Sequence, residues 1–150
     1  MDERLAPLVQ AGVTLAVNLM ESDERNRDGL LFADYAERLR VLGLAAGREI
    51  RARRFAIRDN FIPTRELMEE ILSEIDRELQ AGGTVYVHCL GGKGRTATVV
   101  GCCLIAQGRE TSENVLARLE ELTAHAKGYF WPTPRTEEQR VFVRGWGKGL

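Results

Sequence analysis

At 150 residues, with 44% hydrophobic and 29% charged side chains, the chain carries enough apolar material for one folded domain and the charge content of an ordinary globular protein. A formal net charge of −1 excludes a global field that would draw it to nucleic acid or to an anionic membrane, so any affinity for phosphate must be local. No apolar run approaches the roughly 18 residues that span a bilayer, and MDERLAPLVQ puts charges where a secretory leader needs an apolar stretch, so a cytoplasmic chain without a membrane span is expected.

Asp2 to Gln10 predicts a short helix closed by Gly12. VTLAVNLM, Val13 to Met20, is an apolar, β-rich run expected to form a buried strand. ESDERNRDG reads as a solvated, turn-like loop, and Leu31 to Leu42 has apolar residues at helical spacing. REIRARRFAI alternates around Ile50, Ala52, Phe55 and Ile57, which predicts a second strand. Thr64 is a candidate N-cap for a helix whose apolar face is Leu67, Ile71, Ile75 and Leu79, stopped by Gly82 and Gly83. TVYVHC is the third strand, short and apolar enough for the middle of a sheet. Helices are expected over 95–107 and 112–126. A last helix begins near Thr133 as cap with Pro134 at its first position, and ends near Trp146. Tyr129, Phe130 and Trp131 are expected to anchor that helix. Strands alternating with helices predict one α/β domain over 1–150, with a mainly parallel sheet flanked by helices.

Cys89, Cys102 and Cys103 are an odd set without a disulfide framework, so the question is which thiol reacts. HCLGGKGRT, His88 to Thr96, singles out Cys89. The segment leaves a strand at Cys89 and enters a helix at Arg95. Glycines at 91, 92 and 94 let it curl so that the N–H groups of Leu90, Gly91, Gly92, Lys93, Gly94 and Arg95 point inward as an anion nest, helped by the positive end of the helix dipole. The Arg95 guanidinium can grip two phosphate oxygens. The field that attracts phosphate also favours a thiolate, and a thiolate beneath a phosphoryl group is placed for in-line attack on phosphorus.

HCLGGKGRT matches the His-Cys-x-x-Gly-x-x-Arg-Ser/Thr signature of the cysteine-dependent protein tyrosine phosphatase superfamily, and the chain resembles its compact dual-specificity branch over roughly Gly12 to Trp146. AGVTLAVNLM resembles the strand before the family's variable loop, RDNFIP the segment bearing its acid aspartate, and PRTEEQRVFVRGW its terminal helix. The resemblance implies that Cys89 attacks phosphorus to give a cysteinyl-phosphate, and that Arg95 and the amides of residues 90–95 hold the equatorial oxygens. It further implies that Thr96 assists the sulfur as leaving group and that His88 organises the loop. Asp59 corresponds to the acid that protonates the leaving oxygen and later acts as base on water, from a short loop that closes over the site. Glu66 and Glu69 are rivals by proximity, but they sit on a helix and are expected to face solvent. No cofactor or metal is required by this chemistry.

Some positions depart from the family's pattern. Arg58 stands where many bacterial members have proline, and Ala97 replaces the glycine after Thr96. Arg135 replaces the first glutamine of a Gln-Thr-x-x-Gln segment, leaving Gln139 as a weak site candidate with a helix-surface role expected. The usual N-terminal edge strand is expected to be missing. Lys93 either reads extra substrate phosphates or adds to the local potential, and Cys102 and Cys103 are expected to fill core. The leading function is hydrolysis of phosphotyrosine in proteins, with phosphoserine and phosphothreonine as further substrates. The alternatives are an inositol-phosphate or small-molecule phosphatase on the same loop, and a phosphate-binding module without turnover.

Overall fold

β1 (Leu15–Asn18) is the middle strand of a parallel sheet ordered β2–β1–β3, with β2 at Arg51–Arg54 and β3 at Val85–His88. In this computed structural model residues 1–125 and 132–148 are described, and they fall in two compact units. One comprises Met1–Ala56 with Ser73–His88, the other Ile57–Leu72 with Cys89 and the residues after it. The Tyr129–Trp131 anchor lies outside the described residues. Among the described residues no helix is long and apolar enough to cross a membrane.

In the first unit, in-register pairing places Leu15 beside Arg51 and Val85, and Ala16 beside Ala52 and Tyr86. Alternate residues therefore face opposite sides of the sheet. On the Ala16 side, α1 (Asp2–Gln10) and α2 (Ala36–Ala45) bury Leu5, Val9 and Leu39 with Ala16 and Ile50. The central place expected for TVYVHC belongs to β1, every residue of which is buried, whereas Tyr86 in β3 is 40% exposed. Its amphipathic Tyr86 and His88 suit a less covered position better than the wholly apolar Leu15–Val17 does. The helix expected from Leu31 starts at Ala36, where the Asp34 carboxylate accepts the Ala36 N–H at 3.0 Å and marks the boundary.

α3 (Arg65–Gln80) starts after Thr64, whose hydroxyl accepts the Leu67 N–H at 3.1 Å as expected of a cap. Its buried face, however, is Met68, Ile71, Glu74 and Ile75, while Leu67 is half-buried and Leu79 lies 40% exposed. The stripe turns because Glu74, 2% exposed, is where the arginines on the second side of the sheet end. Arg51 Nη1 reaches Glu74 Oε1 at 2.7 Å, and Arg53 Nη1 and Arg77 Nη1 reach Oε2 at 2.9 and 3.3 Å. Burial opposes ionisation of Glu74, but the hydrogen bonds and charges of Arg51 and Arg53 outweigh it and hold the carboxyl below its ordinary range. A depressed folded-state value means stability that is present above the ordinary value of 4.5 and is lost as pH falls through the folded one. Glu74→Gln is therefore expected to cost about 2 kcal/mol at pH 7, discounted for the partly exposed arginines. Urea unfolding should show that difference shrinking as pH falls below about 4.5; a difference independent of pH would remove the charged network from the account.

In the second unit, α4 (Arg95–Ala106) packs on α5 (Val115–Thr123), α6 (Glu137–Gly145) and a 3₁₀ turn at Trp146–Lys148. Close approach occurs at Gly101, where a Cβ would fall 2.7 Å from Val143 Cγ1 and 3.0 Å from Leu119 Cδ1. Cys102 is fully buried there, which pushes its thiol far up, and Cys103 is half-buried. The last helix is capped by Thr136 instead of Thr133. Thr136 and Gln139 form a reciprocal capping box, a stronger start signal than a proline following threonine.

Candidate active site

The loop Cys89–Gly94 runs directly into α4, and its conformation depends on glycine at one point: Gly92 has φ +77°, the left-handed region. That bend brings the Gly92 N–H to 3.3 Å from Cys89 Sγ. The Thr96 hydroxyl, on the second residue of α4, donates to the same sulfur at 3.0 Å. Both contacts place a donor on sulfur, so Sγ serves as an acceptor. Gly94 occupies the N-cap of α4 without a side chain to offer, which suits an anion at that helix end. Leu90 is 55% exposed at the lip, Gly91 is exposed, and Lys93 is half-buried.

Arg95 is only 1% exposed. Its Nη1 donates to the Ile57 carbonyl oxygen at 2.9 Å, and its Nη2 lies 3.3 Å from Asp59 Oδ1. Asp59 itself is half exposed, so an ion is not sealed away from water there. It sits in a turn closed by the Phe61 N–H donating to the Arg58 carbonyl at 3.0 Å, with Asn60 at φ +69°. The Arg58 guanidinium lies 4.6 Å from the Phe61 ring centroid, across the same turn. The structure thus brings Cys89, Arg95, Thr96 and Asp59 together. The turn expected to close over the site rests against Arg95 in this structure. Glu66 and Glu69 are exposed on α3, the latter paired with Arg65 at 3.2 Å.

His88 ends β3 in the first unit, immediately before Cys89 in the chain. Its imidazole Nε2 pairs with the Tyr35 hydroxyl, and the Tyr86 ring stacks on it with centroids 5.5 Å apart. Burial, with a lesser push from Tyr86, lifts the Tyr35 phenol to about 12, so His88 meets a neutral hydroxyl across the physiological range. Tyr35 carried no sequence signal, its partner being 53 positions away. Gln139 is the weak site candidate of the Thr-x-x-Gln segment. Expected on the helix surface, it is fully buried and donates from Nε2 to the Phe61 carbonyl at 3.2 Å, while its amide lies against Gly94. The Thr-x-x-Gln spacing of a capping box was the available signal for it.

A family model described as "Polymorphic toxin system, DSP-PTPase phosphatase" matches residues 1–109. Phosphatidylglycerophosphate phosphatase PTPMT1 of Arabidopsis thaliana is 38% identical over 53 residues, which are 35% of this chain and 16% of that relative's length. Among solved structures, Tk-PTP in its active form superposes with a TM-score of 0.72 at 20% identity, covering 100% of this chain and 88% of the other. PTPMT1 in complex with PI(5)P gives 0.73 at 15% identity, over 99% and 86%. Human tyrosine phosphatase-like serine/threonine/tyrosine-interacting protein gives 0.71 at 16%, over 99% and 85%. These structures share the fold. With the signature loop and a match over more than two thirds of its length, the chain belongs to the DSP-PTPase phosphatase family of polymorphic toxin systems, a compact dual-specificity-like branch of the cysteine-based tyrosine phosphatase superfamily.

Proposed function

We propose that the chain hydrolyses phosphotyrosine in proteins through a cysteinyl-phosphate on Cys89. The observation that carries this reading is the Cys89 sulfur receiving Gly92 and Thr96 donors inside a loop that ends at the buried Arg95. In the first step Sγ attacks phosphorus, the bond from phosphorus to the leaving oxygen breaks, and Asp59 delivers the proton that oxygen needs. Arg95 and the N–H groups of residues 90–95 hold the three equatorial oxygens as charge spreads over them. A bound phosphoryl group competes with Asp59 for Arg95 Nη2, which frees the carboxyl to face the leaving group. In the second step water attacks phosphorus while Asp59 accepts its proton, the S–P bond breaks, and the Thr96 hydroxyl stabilises the departing sulfur. Exposed apolar surface on Leu90 and on Phe61, 47% exposed in the Asp59 turn, suits an aryl leaving group.

A second reading is a phosphomonoester on a glycerol or inositol headgroup. It is favoured by the 38% identity to a phosphatidylglycerophosphate phosphatase and by Lys93 in the loop, a cation for a further phosphate. Phosphate release would be measured from phosphotyrosyl and phosphothreonyl peptides, inositol monophosphate and phosphatidylglycerophosphate vesicles. The expected result is a kcat/KM highest for the phosphotyrosyl peptide, by about tenfold, and lowered about 10²- to 10³-fold in Asp59→Asn. A preference for a headgroup phosphate selects the second reading. Peptide binding without release from any substrate would replace both with a binding module.

A further inference from the structure

We propose that Gln139 is a positioning residue that holds the Asp59 turn in its working place against the phosphate loop. This rests on Asp59 being the general acid. Gln139 is polar yet fully buried, and its amide makes two hydrogen bonds of opposite sense. Its Oε1 accepts the Thr136 N–H at 3.1 Å, which fixes that end of the amide as oxygen. The nitrogen end is thereby aimed at the Phe61 carbonyl, 3.2 Å away. Between these contacts the amide lies against the last residue of the phosphate loop: a Cβ on Gly94 would come 3.2 Å from Nε2 and 3.3 Å from Oε1. One side chain thus touches the cap of α6, the turn bearing Asp59 and the loop bearing Cys89.

The turn is held at both ends, with Asp59 in the middle. Before it, Arg95 Nη1 takes the Ile57 carbonyl at 2.9 Å; after it, Gln139 takes the Phe61 carbonyl. The two holds differ in kind. Arg95 is the group a phosphoryl oxygen recruits, so its hold on the turn is shared with substrate, whereas Gln139 holds the turn whether substrate is bound or not. The turn's own bonds, Phe61 N–H to Arg58 O at 3.0 Å and the Arg58–Phe61 stack, make it a rigid piece, so fixing Phe61 fixes Asp59. A loosened acid harms reactions in proportion to how much the leaving oxygen needs a proton, and leaves already acidic leaving groups nearly unaffected.

Gln139→Glu keeps the side-chain length and the acceptor for Thr136, as glutamate does in capping boxes, while it replaces the donor to Phe61 by an acceptor and adds a charge. The readout is kcat/KM across aryl phosphates whose phenols span a wide range of acidity, compared for wild type, Gln139→Glu and Asp59→Asn. The expected result is a loss of about tenfold on the least acidic phenol and less than about twofold on the most acidic, with Asp59→Asn steeper still. The added charge beside Gly94 raises KM alike along the series and leaves the slope untouched, so the tenfold and twofold figures are read relative to that common shift, which the uncharged Gln139→Met lacks. A loss uniform across the series, or no loss, overturns the proposal, since Gln139 then serves folding or binding alone. If Asp59→Asn leaves the slope at its wild-type value, the acid assignment itself fails and the proposal falls with it. Should Gln139→Glu lack a cooperative melt, Gln139→Met, of similar volume and uncharged, gives the same comparison with the same outcomes.

Discussion

Cys89→Ser is expected to lower phosphate release by about 10⁴-fold or more while leaving the fold intact, the effect of deleting a covalent nucleophile. The Gly92 N–H at 3.3 Å and the Thr96 hydroxyl at 3.0 Å both donate to the sulfur, and a serine oxygen accepts from both. The substitution therefore keeps these two bonds and changes the reacting atom. A serine hydroxyl is far less acidic than a thiol, so it remains protonated and does not attack. Any phosphoserine that formed would also be a poorer leaving group in the second step than a thiolate assisted by Thr96. The measurement is acid quench of a single turnover with labelled substrate. Wild type should trap label on the chain, Cys89→Ser none, and the melting temperatures should agree within a few degrees. Cys102 offers no substitute nucleophile, since burial keeps its thiol protonated. A Cys89→Ser enzyme retaining more than about 1% of wild-type release would end the covalent reading.

How much of this was legible in the sequence follows from how far apart the cooperating residues lie. Cys89, Gly92, Arg95 and Thr96 sit within one strand-to-helix connection, so their spacing alone points to the loop and its chemistry. Asp59 came from resemblance, and the structure brings its carboxylate to Arg95 across 36 positions. Gln139 and its partner Phe61 are 78 positions apart, and neither residue type announces the other. Burial patterns failed where polarity was mutually satisfied: Glu74 breaks the apolar stripe of α3 because three arginines converge on it, and a count of apolar positions favours Leu67 and Leu79 instead. Capping shows the same limit. Thr133 with Pro134 and Thr136 with Gln139 are both admissible starts, and only the second forms reciprocal bonds.

Arg95→Lys is expected to reduce kcat/KM by about 10³-fold, although it keeps the charge. The guanidinium works here as a fork. One branch, Nη1, donates to the Ile57 carbonyl at 2.9 Å, and the other, Nη2, lies 3.3 Å from Asp59 Oδ1 and is the branch the proposed mechanism gives to the phosphoryl group. A lysine ammonium is a single point: directed to the phosphate it abandons Ile57, and directed to Ile57 it abandons the phosphate. At 1% exposure water cannot fill the deficit, so the carbonyl left behind costs about 1–3 kcal/mol. That cost appears as a looser Asp59 turn as well as a weaker phosphate site, so kcat should fall together with a rise in KM. Inorganic phosphate provides a readout independent of turnover: it should raise the melting temperature of wild type in a concentration-dependent way and leave Arg95→Lys nearly unmoved. If Arg95→Lys stays within about tenfold of wild type in kcat/KM, the planar fork is dispensable. Charge alone would then account for the site, and the tie between the phosphate grip and the acid turn would have to run through Gln139 without Arg95.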